Sequence, residues 1–248
     1  DTGTTDLRNL TVTASPAGVG AAGLAQVTTN GNTYAFASDG TDFTLSGWTA
    51  AGSQFAGGTL SFNSTGGSIN LADLDFSATN GSLSVRAQQL VTGNITQTLG
   101  SGLNLGSGFL TLRADNNVVL RDVTAGGFSV SQANNQVFSP VASNGSCETI
   151  GSGFVCAPYS VTMGNITDPT GAGSFSATAR HGITAGNLAV GNLNFTTYTG
   201  TVNTGTIGTA LAPAGSVVIS ADNYTTYAGG NIVTGAVEAN IVSMTTLN

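Results

Sequence analysis

The sequence predicts an all-β protein built as a coiled stack of parallel strands, and three observations predict it. A seven-residue phrase recurs through the chain. Helical periodicity, with apolar residues at i, i+3, i+4 and i+7, is almost absent. Short alternating runs are separated throughout by glycine, asparagine, serine and threonine. The phrase reads Gly81-Ser-Leu-Ser-Val-Arg-Ala87, then Gly108-Phe-Leu-Thr-Leu-Arg-Ala114, then Gly127-Phe-Ser-Val-Ser-Gln-Ala133, with further copies at Gly173–Ala179 and Gly215–Ala221. Each copy is a glycine followed by the alternation of a half-buried strand. The starting glycines lie 27, 19, 46 and 42 residues apart. The last two gaps are near twice a period of about 21 to 23, so one copy in each is expected to be degenerate or displaced by an insertion. A period of that size is the signature of a solenoid. At about 21 residues per coil the chain would make roughly eleven coils spaced about 4.8 Å apart.

Taken in order, Leu7–Ala14 alternates and stops at Ser15-Pro16, which reads as a strand. Thr33–Ala37 and Phe43–Leu45 follow, joined by Ser38-Asp39-Gly40-Thr41, a turn by its chemistry. Trp48, the single tryptophan, is expected to cap the core near the N-terminal end, and Ala50–Gly57 could form at most one helical turn. From Gly58 the strands become regular: Thr59–Phe62, Ser68–Leu71, Leu74–Ala78 and Ser82–Ala87. Gly66-Gly67 and Asn80-Gly81 would also suit tight hairpins, which keeps an antiparallel, pilin-like β-sandwich as the alternative fold. Residues 134–172 carry Pro140, Pro158 and Pro169 and read as an insertion. Regular strands resume at Ile183–Ala185, Leu188–Val190, Leu193–Thr197 and Thr201–Thr204, and end with Ser216–Ala221, Asn231–Thr234 and Ala239–Met244. The expected organisation is an N-terminal cap or strand region (1–57), regular repeats (58–133), the insertion (134–172) and regular repeats (173–248).

Composition narrows the function. Hydrophobic residues make up 40% of the chain and charged residues only 7%, so the recipe for disorder is not met. There is no lysine, the net charge is −7, and five scattered arginines form no basic patch to track phosphates. Nucleic acid is therefore excluded as the expected partner. No apolar run approaches the length of a membrane-spanning helix, so no membrane insertion is expected. The chain opens at Asp1 without a signal segment, as a mature processed product or an excised fragment would. Cys147 and Cys156, nine apart around Gly151 and Gly153, are expected to close a local disulfide in an oxidising compartment, with two buried free thiols as the other reading. Two cysteines and the distant His181 give no usual metal-ligand spacing, and no cofactor is expected.

The wording of Gly215-Ser-Val-Val-Ile-Ser-Ala-Asp-Asn223 and Ala228-Gly-Gly-Asn-Ile-Val-Thr-Gly235 resembles the repeats of filamentous-haemagglutinin-type secreted proteins. Gly81–Ala87 with Gly93-Asn-Ile-Thr96, and Gly173–Ala179 with Gly182-Ile-Thr-Ala-Gly186, have the same cadence. The resemblance spans residues 58–133 and 173–244 and is one of repeat texture. It implies a right-handed parallel β-helix, exported to the surface of Gram-negative bacteria, acting as an adhesin or a surface filament. No Asn-Pro-Asn-Gly-type secretion motif is present, and the family brings no catalytic residues.

Several residues invite chemistry. His181 has Asp168 as its nearest acid in sequence; a corner residue is the plainer reading. Asp73 and Asp75 fall on one face of a strand, as calcium or acid–base work would want. Asp39–Asp42 and Asp115-Asn116-Asn117 offer oxygen ligands, with surface turns as the plainer reading. Arg86 and Arg113 occupy the same place in their phrases and would stack one coil apart as a solvated or paired ladder. Asn-x-Ser/Thr sequons begin at Asn9, Asn63, Asn94, Asn144, Asn165, Asn194 and Asn223. Thr196–Thr201 is threonine-rich, but no Thr-x-Thr recurs on every coil. The expected function is an extracellular structural protein, a surface adhesin or the subunit of a self-assembling filament, not an enzyme. Its partners would be further copies of itself or cell-surface and host ligands. One alternative is a pilin-like sandwich polymerising through a donated strand carrying Leu7, Leu10, Val12 and Ala14. A polysaccharide-binding or polysaccharide-degrading β-helix is the other.

Overall fold

In the structure, a computed structural model, residues 11–14, 23–29, 32–38, 43–46, 48–49, 59–64, 69–71, 74–77, 80–87, 93–97, 101–133, 147–150, 153–221 and 230–246 are described. Leu7, Leu10, Asp73, the 39–42 and 66–67 turns, the 50–57 segment and the sequons at Asn9, Asn144 and Asn223 lie outside them.

The described residues contain strands and no helix, and the strands repeat in one order around three sheets. Coil 1 holds β1 (Thr11–Ala14), a hairpin of β2 (Gly23–Thr29) and β3 (Asn32–Ser38), then β4 (Phe43–Ser46) and β5 (Trp48–Thr49). Coil 2 is β6 (Thr59–Ser64), β7 (Ile69–Leu71) and β8 (Leu74–Asp75); coil 3 is β9 (Ser82–Ala87), β10 (Ile95–Thr96) and β11 (Gly102–Asn104). Coil 4 is β12 (Phe109–Ala114), β13 (Val118–Val119) and β14 (Asp122–Thr124). Coil 5 begins with β15 (Gly127–Gln132), leaves for a hairpin of β16 (Cys147–Ile150) and β17 (Gly153–Cys156), and returns as β18 (Ser160–Met163) and β19 (Ile166–Thr167). Coil 6 is β20 (Ser174–Ala179), β21 (Gly182–Ala185) and β22 (Leu188–Ala189). Coil 7 has β23 (Asn192–Thr197) and β24 (Thr201–Thr204), and coil 8 has β25 (Ala214–Ala221) and β26 (Ile232–Val233). Single bridges at Ile207 and Val237 stand for their third strands, and β27 (Ala239–Thr246) opens a ninth coil.

Sheet A therefore runs β1-β6-β9-β12-β15-β20-β23-β25-β27, all parallel. Sheet B takes the second strand of each coil and sheet C the third. Among the described strands only β2–β3, β3–β4 and β16–β17 pair antiparallel, so the antiparallel sandwich is not the arrangement found. Asn80, at φ 53°, turns the chain from β8 in sheet C into β9 in sheet A instead of closing a hairpin.

Eight coils and a ninth strand replace the roughly eleven expected, and two insertions account for most of the difference. Residues 15–42 and 133–159 both lie between a sheet A strand and a sheet B strand of one coil, and each contains a hairpin. The 46-residue gap between phrases is thus an insertion. The 42-residue gap instead hides a degenerate copy, Gly191-Asn-Leu-Asn-Phe-Thr-Thr197, which forms β23. The coil resumes at Ser160, so β18 and β19, inside the expected 134–172 insertion, pair within sheets B and C.

The core fills the tube with columns of like residues. Leu83, Leu110, Phe128, Phe175, Leu193 and Val217 stack in register, with Val85, Leu112, Val130, Ala177, Phe195 and Ile219 beside them; all are at most 2% exposed. Side chains alternate in and out along β9, β12 and β20, which is why the phrase alternates apolar with polar.

Candidate functional site

The disulfide forms. Cys147 and Cys156 face one another across β16 and β17 with Cα atoms 4.1 Å apart, and Gln132 Nε2 lies 3.6 Å from Cys147 Sγ. Replacing both cysteines by serine is expected to cost the hairpin about 2.5 kcal/mol through the freedom returned to a nine-residue span. Hydrogen exchange would check it: amides of β17 should exchange faster while those of β20 and β23 hold.

The proposed chemical residues are used up by the fold. Asp168 sits at the corner from sheet C to sheet A. Its Oδ1 accepts from Thr170 N–H (2.8 Å) and Oγ1–H (2.6 Å), and its Oδ2 from Gly173 N–H (2.7 Å) and Gly191 N–H (3.3 Å). His181 sits at a different corner, from sheet A to sheet B. Its Nδ1 is 2.9 Å from Thr199 Oγ1 and its ring centroid 4.2 Å from that of Tyr159, with the Arg180 guanidinium 5.5 Å from the Tyr159 ring. The structure does not bring Asp168 and His181 together. Asp75 accepts from the backbone and hydroxyl of Ser77, as a turn residue does. Asp115 is fully buried, and Asn117 serves its neighbours, its N–H donating to Asn94 Oδ1 and its Oδ1 accepting from Ser160 Oγ. Among the described residues no group of three or more His, Cys, Asp or Glu could hold a metal.

Sequence reasoning missed a side-chain ladder at the corner from sheet B to sheet C. Asp122 Oδ1 accepts from Asn165 N–H (2.7 Å), Asn165 Oδ1 from Asn187 N–H (2.9 Å), and Asn187 Oδ1 from Thr206 N–H (3.0 Å). Each side chain thus satisfies a backbone donor one coil further on. The signal was Gly164-Asn165, Gly186-Asn187 and Gly205-Thr206 before each short strand. Gly186 shows why glycine comes first: a Cβ there would lie 2.6 Å from Asn165 Oδ1. Asn165→Ala should cost about 0.5 to 1 kcal/mol by removing its exposed hydrogen bond to Asn187 N–H. Asn165→Asp keeps the acceptor but turns the Nδ2 donor, 3.4 Å from Asp122 Oδ2, into a second carboxylate, so it should cost at least as much at neutral pH, and thermal melts of the two variants side by side check the order.

Two surface features remain. The first is the C-terminal end of the stack. Val242 and Met244 continue the core columns of Val217 and Ile219, which are fully buried, yet they are 51% and 37% exposed. Ile241 and Val233 add 63% and 52% exposure nearby. Among the described residues β27 pairs on one side only, with β25. The other end differs, because the β2–β3 hairpin extends sheet B there by two antiparallel strands. Of the expected donor residues, Val12 and Ala14 lie in β1, which pairs with β6 of the same chain.

The second feature is on the outer face of sheet A. Arg86 and Arg113 are direct cross-strand partners, an arrangement of like charges that is unfavourable alone. Arg86 Nε donates to the Ala133 carbonyl at 2.8 Å. On the same face Phe109 is 41% exposed, its ring edge lying against Gly127 of the next strand. No helix among the described residues is long and apolar enough to cross a membrane. Comparison with family models, curated proteins and solved structures finds no match to this chain.

Proposed function

We propose that the protein is an extracellular structural protein: a right-handed parallel β-helix that serves as a surface adhesin or as the subunit of a self-assembling filament. The observation that carries this reading is the repeating stack itself: sheet A runs through nine parallel strands over columns of buried apolar side chains. An unpaired strand edge templates addition of another strand, and covering Val242 and Met244 would contribute about 2 kcal/mol at the usual worth of a buried aliphatic side chain. A head-to-tail contact of this kind is heterologous and propagates where it does not close. The disulfide suits an oxidising compartment. Low charge and a wall of Ser, Thr and Asn suit exposure outside the cell.

Electron microscopy of the purified chain at neutral pH tests the filament half. Wild type should form rods longer than one stack, and Val242→Lys with Met244→Lys should stay monomeric while melting in a single transition only a little below wild type. Wild type that remains single short rods at every concentration would remove the filament and leave the adhesin.

A further inference from the structure

We infer that the outer face of sheet A between β9 and β15 binds a carboxylate-bearing polysaccharide, a polymer of the uronate class. The site rests on three observations. First, Arg86 and Arg113 stand opposite one another on adjacent parallel strands, about 4.8 Å apart, in a chain with only five basic residues and twelve acids. Neither is ion-paired among the described residues: Asp75 is held by Ser77 on sheet C, and Asp115 is buried. Two cross-strand arginines on one face can share a carboxylate, which would relieve their repulsion. Second, Arg86 is already fixed through Nε to the Ala133 carbonyl, so part of the ordering cost of binding is met beforehand. Third, Phe109 offers an exposed ring on the same strand and face as Arg113. It lies over Gly127, where no side chain competes for the space.

The arrangement favours a sugar polymer over an acidic peptide. Phe109 and Arg113 are four residues apart along β12, about 13 Å at the rise of a strand. That span suits an extended chain that stacks one ring on Phe109 and places a later carboxylate between the arginines. Thr111, Ser84 and Ser129 lie in register between them and supply hydroxyls. β9, β12 and β15 are each paired on both sides, so none offers a strand edge with which a peptide backbone could pair. The attraction between these exposed guanidinium groups and a carboxylate is screened by salt, so binding should weaken as salt rises.

This inference gives the adhesin reading a ligand class. Filament assembly uses the β27 end and this site the wall, so one test can fail while the other succeeds. The experiment is affinity electrophoresis of the full chain through gels containing polygalacturonate, its methyl ester, or polyglutamate. Wild type should be retarded by polygalacturonate alone. Arg113→Gln should bind about fivefold more weakly, the worth of one exposed charge pair. Phe109→Leu, which still covers Gly127, should lose about threefold from its ring. Melting curves establish that each variant is folded. No retardation of folded wild type, retardation untouched by Arg113→Gln, or equal retardation by polyglutamate would each overturn the proposal.

Discussion

Phe175→Ala should destabilise the protein by about 4 kcal/mol, the usual cost of deleting a buried aromatic ring. Phe175 is fully buried, meets Phe128 edge to face at 5.1 Å between centroids, and leaves room beside it through the small Ala177. Phe128 also stacks at 6.4 Å on Phe195, so the lesion reaches coils 5 to 7. Each coil touches mainly its neighbours, so a cavity in coil 6 need not unfold coil 1. Trp48 in β5 reports on the N-terminal end and far-ultraviolet circular dichroism on the whole. In a denaturant titration the dichroism midpoint should fall while the tryptophan transition moves less. Coincident transitions would instead show that the stack melts as one unit.

Gly200→Ala is expected to cost about 3 kcal/mol, at the upper end for overpacking. A Cβ at Gly200 would fall on the carbonyl oxygen of His181, a backbone atom in the coil beneath that cannot rotate away. The 198–200 corner would have to lift, breaking Thr199 N–H to Arg180 O (2.9 Å) and the Thr199–His181 contact. Gly171→Ala separates this clash from backbone strain. Gly171 has φ 65° with open space around it, so it should lose only about 1 kcal/mol. If chemical denaturation ranks the two equally, the clash has been absorbed and the corner is softer than its geometry implies.

How far the sequence disclosed this arrangement depended on what each signal required. Alternation is a local property, and strands such as Leu193–Thr197 and Thr201–Thr204 were legible because one face is buried all along the stack. The pairing of Arg86 with Arg113 was legible because both sit in intact copies of one phrase. The β23 copy was hidden because Asn192, Asn194 and Phe195 stand where most other copies have serine, serine or threonine, and a smaller aliphatic residue. The corner ladder was hidden for a different reason. Asp122 and Asn165 are 43 residues apart in sequence, and only the removal of the inserted hairpin brings them one coil apart. Coil number failed because it came from dividing length by period, which counts inserted chain as wall.

The two kinds of corner have opposite tolerances. From sheet B to sheet C the link is two residues at 120–121, 164–165, 186–187 and 205–206, where the ladder runs, and five residues (97–101) in coil 3, before the ladder begins. From sheet A to sheet B it ranges from two residues (180–181) to twenty-eight (15–42). One edge of the stack thus works as a spine that keeps count, and another as a rail on which segments of any length can be hung without disturbing the count. The hairpins of coils 1 and 5 are mounted on that rail about 19 Å apart, four coil spacings. A peptide grafted between Thr197 and Thr201 would hang two coils beyond the second, so such a chain can present several loops at fixed intervals along one line.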